Sequence, residues 1–115
     1  MRVIKEPIFL SELKVVAEER FGDLVKAVVD VKQEIMAIGG ELHADEEVLL
    51  IDEHGSRRED VWGINIYPDA DEPGFLEFDS MINLKPSLGN RSRDVEDPKV
   101  REKIRAVVAK LVKGE

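Results

Sequence analysis

Apolar residues recur along this 115-residue chain at two periods, and each change of period marks a new element. Over residues 11–21, Leu13, Val16, Ala17 and Phe21 fall on one helical stripe. Ser11 is placed to cap that helix, Glu12 suits its first turn, and Gly22 ends it. Leu10 and Val15 stand at the spacing of a hydrophobic staple. From Leu24 the pattern becomes LVKAVVDV, then Lys32-Gln33, then EIMAIGG, which predicts a β-hairpin with a turn lacking Asn-Gly chemistry. Residues 45–54 fit a helix capped by Asp45 and closed by Gly55, although the run Val48–Ile51 also fits a buried strand.

VWGINIYP predicts a strand with Trp62, Ile64 and Ile66 on one face, which assigns the lone tryptophan to the core. Residues 75–85 alternate: Leu76, Phe78, Ile82 and Leu84 take one set of positions, and Glu77, Asp79 and Asn83 the other. That is the period of a half-buried strand, ended by Pro86. The last helix has Asp97 as cap, Pro98 in its first position and a stripe of Val100, Ile104, Val107, Val108 and Leu111, with Gly114 closing it. Residues 2–6 read as an extended lead-in to Pro7. The order α-β-β-α-β-β-α predicts a single α+β domain over residues 1–115, with a four-stranded, mainly antiparallel sheet and helices packed on one face.

Composition adds exclusions. Cysteine is absent, which removes disulfides, thiolate metal sites and cysteine nucleophiles. No apolar run approaches the roughly 20 residues that span a bilayer, and the first residues lack a signal-peptide core, so a cytoplasmic location without membrane attachment is expected. Charged residues reach 37% with one Gln and three Asn, a balance that fits a thermophile. The net charge of −8 argues against a general nucleic-acid coat.

Against that acidic background, Lys85, Arg91 and Arg93 share a window with no acid, alongside Asn90 and Ser92. Lys85, Asn90, Arg91, Ser92 and Arg93 are therefore candidate ligands for a phosphate-bearing metabolite, a nucleotide or an RNA backbone at the 83–93 loop, because guanidinium groups bind oxygen anions bidentately. The competing fate of these arginines is pairing with Asp94, Glu96 and Asp97 just downstream.

GGELHADEE sets His43 beside Glu41, Asp45 and Glu46, a group able to hold a divalent metal or to act as a positioned base. The favoured reading is a strand-to-helix turn with Asp45 as cap and glutamates matched to the helix dipole. The H-A-D tripeptide lacks the P-C-x-x-C that a zinc deaminase requires. Glu77 and Asp79, with Asn83 and Asn65, could add carboxylates on an open sheet face, so that His43, Glu77 and Asp79 form the metal set of a possible hydrolase. A solvated polar face is the simpler account, and a homodimer through that face or an edge strand is a third reading. No P-loop, dinucleotide-binding, zincin or nucleophile-elbow pattern occurs.

The segments AVVDVKQEIMAIGGELHADEE, DVWGINIYP and INLKPSLGNRSR together resemble a small prokaryotic family known only as a domain of unknown function. The resemblance runs from about Leu10 to Leu111. It implies no catalytic residue, substrate or cofactor.

Overall fold

The computed structural model describes residues 1–114. Seven strands and three helices follow in the order β1 (Arg2–Ile4), β2 (Ile8–Phe9), α1 (Leu10–Arg20), β3 (Val25–Asp30), β4 (Ile35–Ile38), α2 (His43–His54), β5 (Val61–Ile66), β6 (Leu76–Glu77), α3 (Pro98–Leu111) and β7 (Val112–Lys113). The main sheet is antiparallel with strand order β1-β4-β3-β5-β6, and β2 pairs with β7 in a small parallel ribbon. The α+β class holds. The sheet has five strands rather than four, because the lead-in 2–4 pairs with β4.

Both faces of the sheet are covered. Val25, Ala27, Val29, Met36, Ile38, Trp62, Ile64 and Ile66 meet Leu13 and Ala17 of α1 and Ile104, Val107, Val108 and Leu111 of α3. On the opposite face Val28, Ile35, Ala37 and Val61 meet Leu50 of α2. The expected placement of all helices on one face is thus corrected for α2. The hairpin explains it: β4 is buried at every position and β3 at all but Lys26, so apolar surface remains to be covered on each side. Ile104 is fully buried, and Ile104→Val should lower stability by about 0.5–1.5 kcal/mol in a denaturant titration. No measurable change would place that stripe of α3 away from the core.

The hairpin turn is built on Asp30. This buried carboxylate accepts the N–H groups of Lys32 and Gln33, at 2.9 and 3.0 Å, and the Ser56 hydroxyl at 2.6 Å. Gln33 in turn donates to the carbonyl of His54, tying the turn to the end of α2. Glu34 takes φ 59°, which a less regular turn requires.

Helix starts differ in detail from expectation. α1 begins before Ser11, with Phe9 at the cap position and no side-chain bond there. Phe21 is 38% exposed, lying past the helix with the Lys26 ammonium 5.4 Å from its ring centroid. α2 begins at His43, so Asp45 lies in its first turn and does not cap it, and 45–54 is helix rather than strand. Asp97 does cap α3, accepting from the Lys99 N–H at 2.9 Å. Among the described residues no helix is long and apolar enough to cross a membrane.

The predicted strand 75–85 is corrected most. Only Leu76 and Glu77 pair with β5, after which the chain leaves the sheet. Its alternating apolar residues serve separate surfaces. Phe78 lies beneath the guanidinium groups of Arg101 and Arg105, Ile82 joins the α2 side of the core, and Leu84 is 41% exposed.

Candidate functional site

Where β6 stops, the Asn83 side chain continues the ladder. Its Oδ1 accepts the Gly63 N–H at 2.8 Å and its Nδ2 donates to the Gly63 carbonyl at 3.0 Å. One side-chain amide thereby satisfies both backbone groups of a central β5 residue, as a paired strand would. The same Nδ2 donates to the Arg93 carbonyl, which also accepts from the Ser80 N–H. Gly63 has no Cβ because there is no room for one: it would stand 2.5 Å from both Cβ and Oγ of Ser80.

A second buried amide organises the rest of the loop. Asn90 donates to the carbonyls of Asn83, Ser92 and Asp94, at 2.7, 3.2 and 2.7 Å, and accepts the Glu96 N–H at 2.8 Å. Lys85 and Asn90 exchange backbone bonds around a short 3-10 turn, Pro86–Leu88, and Gly89 closes it at φ 82°. The Lys85 ammonium turns inward, donates to the Arg58 carbonyl at 2.6 Å, and lies 5.2 Å from the Trp62 ring centroid. Burial pushes its pKa down.

Of the five residues expected to bind an anion, Lys85 and Asn90 are therefore inside the fold. The Ser92 hydroxyl donates to Glu96 at 2.6 Å, and Arg93 pairs with Asp79 at 2.7 Å. Of the five, only Arg91, which is exposed, has a side chain with no hydrogen bond or ion pair to any of the described residues. The downstream acids are engaged elsewhere: Asp94 pairs with Arg101, Asp97 caps α3, and Glu96 takes the Arg91 backbone N–H with the Ser92 hydroxyl.

His43, Glu77 and Asp79 do not assemble into a metal site, and among the described residues no three His, Asp or Glu side chains are grouped to hold one. Each has another partner. His43 donates from Nε2 to the Ile64 carbonyl at 2.8 Å, and burial lowers its pKa. Glu77 accepts from Asn65, its cross-strand partner, at 2.8 Å, while Asp79 holds Arg93.

Beside His43, one helical turn on, Glu46 is fully buried. Its Oε2 accepts the Gly40 N–H at 2.9 Å, whereas Oε1 has no partner. Burial pushes this carboxyl up to about 8, so at neutral pH it is largely protonated. In the sequence Glu46 reads both as a candidate ligand beside His43 and as a first-turn acid suited to the helix dipole. Only its i+3 spacing from His43 and i+4 spacing to Leu50 marked it as facing inward.

A concavity lies elsewhere, between β1 and α1. This groove of about 550 Å³ has Met1, Val15, Val16 and Ile38 as apolar lining, with Arg2 and Arg20 among its polar walls. Arg2 reaches Glu12 at 3.0 Å. Arg20 donates to the Gly39 carbonyl at 3.1 Å and approaches Glu41 at 3.9 Å. All four of these charged side chains are 44–75% exposed, so their pairing adds about 0–1 kcal/mol each. Arg2 and Arg20 escaped the sequence reading because they sit in separate elements, and only β1–β4 pairing brings them to one groove.

Among protein families, the model described as "Protein of unknown function (DUF5674)" matches residues 2–111. No curated protein and no solved structure matches the chain.

Proposed function

We propose that this chain, which belongs to the DUF5674 family, is a binding module for a small molecule with an apolar body and an anionic head. The observation that carries this reading is the β1–α1 groove, which joins an apolar lining to two guanidinium groups. Its volume falls within the range of about 300–1,000 Å³ typical of ligand pockets. Val15 and Met1, 54% and 60% exposed, supply apolar surface that a ligand would cover. A carboxylate or phosphate would compete with Glu12 and Glu41 for arginines held only by exposed pairs, and bidentate charge-assisted bonds favour the ligand.

A second reading keeps the anion at the 83–93 loop, and the observation favouring it is the unpaired Arg91 guanidinium. It is the weaker of the two, because Lys85 and Asn90 are buried and Ser92 and Arg93 are bonded to Glu96 and Asp79.

Thermal-shift titrations separate them. Straight-chain carboxylates should raise the melting temperature increasingly with chain length, and uncharged alcohols of equal length should not. Saturation at 100 times Kd corresponds to about 2.7 kcal/mol. Arg20→Gln should abolish that response, whereas Arg91→Ala should leave it intact. A response to inorganic phosphate or nucleotides lost only in Arg91→Ala would favour the loop. Indifference to every anion would remove both readings.

A further inference from the structure

We infer that two copies of this chain pair through the free edge of β1, joining their sheets antiparallel about a two-fold axis at Ile4. The two edges of the main sheet are treated differently. At the far end the edge strand β6 has only two residues, and beyond it the Asn83 amide takes both backbone groups of Gly63 on β5. At the other end β1 pairs with β4 alone, and none of the described elements pairs with its outer side.

The direction of the unpaired groups follows from register. Backbone polar groups alternate sides along an antiparallel strand. Gly63 turns its pair outward to Asn83, so the Ala27 and Val29 groups of β3 face β5, and those of Val28 and Asp30 face β4. Carried across β4, the alternation turns Arg2 and Ile4 inward, paired with Ile38 and Met36. Val3 then presents N–H and C=O away from β4, and Lys5 does the same where the strand is extended past Ile4.

A second copy satisfies these groups in a register that its side chains also favour. With Ile4 opposite the partner's Ile4, Val3 exchanges backbone bonds with the partner's Lys5, and the same exchange repeats across the axis. Arg2 then stands opposite the partner's Glu6, a non-hydrogen-bonded pair in which side chains approach most closely. Two-fold symmetry makes that cation–anion contact twice. Arg2, Lys5 and Glu6 are all exposed in the single chain, where the strand ends at Ile4 and Glu6 lies in a bend that pairing would extend; Pro7 then stops the ladder, having no N–H to offer. The contact is isologous, so it closes at two copies and does not propagate.

Sedimentation analysis of the full chain across a concentration series tests this, with particle mass as the readout and no ligand present. The wild type should give twice the chain mass. Lys5→Pro removes an outward N–H without touching a bond to β4, and should give monomer with an unchanged far-ultraviolet circular dichroism spectrum. Arg2→Glu and Glu6→Arg should each weaken dimerisation at least tenfold, and the double variant Arg2→Glu/Glu6→Arg should recover it. A wild-type monomer throughout the series overturns the inference, as does a dimer indifferent to Lys5→Pro. Failure of the double variant to recover overturns the register.

Discussion

Gly63→Ala should destabilise the protein by about 2–6 kcal/mol, seen as a lower midpoint in urea unfolding at unchanged slope. The added methyl would lie 2.5 Å from Cβ and Oγ of Ser80 and 3.1 Å from Cγ1 of Ile82. Segment 80–83 cannot simply retreat. Asn83 holds both backbone groups of Gly63, and Ser80 donates its N–H to Arg93 at 3.1 Å. Overpacking of this kind costs roughly 1–3 kcal/mol, and lifting the segment leaves buried β5 groups unpaired at about 1–3 kcal/mol more. The clash is with one side chain, so Ser80→Gly in the Gly63→Ala background should restore part of the loss. Additive losses in that double variant would mean that the contact with Ser80 is not the cause.

Glu46→Gln should stabilise the protein, and by an amount that depends on pH. The carboxyl sits at about 8 in the folded protein against its ordinary 4.5, because burial penalises its ionised form. The Gly40 N–H and the Lys26 charge oppose that shift, and Asp45 adds to it. Below pH 4 both folded and unfolded states carry the proton, and this carboxyl imposes no penalty. Between pH 4.5 and 8 the unfolded chain releases a proton that the folded chain keeps, so wild-type stability falls as pH rises, by up to about 1.4 kcal/mol per unit. Above pH 8 the penalty is complete. Glutamine keeps the Gly40 bond without a titratable proton. The variant should match wild type near pH 4 and exceed it by up to about 5 kcal/mol near pH 9, as measured by denaturant titration at each pH. A difference that stays constant with pH would show that Glu46 does not titrate in this window.

Both predictions concern side chains whose setting no local pattern reveals. Gly63 interrupts a β-branched strand, and the sequence alone offers no reason for it. The reason is Ser80, 17 positions away and brought over β5 by the Asn83 amide. Asn83 itself read as a polar residue on an open sheet face. Alternation over 75–85 has the same period whether the chain pairs as a strand or turns away after Glu77, so periodicity was blind to the difference. The cationic window 85–93 misled for a related reason. A formal charge in sequence does not say whether the ammonium reaches solvent, and that of Lys85 lies against Trp62.

Local chemistry determined the parts of this protein that depend on neighbours in sequence. The Asp97–Pro98 start of α3 and its buried stripe, the β3–β4 hairpin and the strand through Trp62 are all set by caps, turns and periods within a few residues. Tertiary structure alone decided the rest. It recruited residues 2–4 as a sheet edge, sent α2 to the opposite face, buried Glu46, and brought Arg2 and Arg20 to one groove. Each of these outcomes rests on contacts between elements distant in sequence, where apolar burial and hydrogen-bond satisfaction are settled for the whole chain at once. A residue's own neighbours carry no record of that settlement.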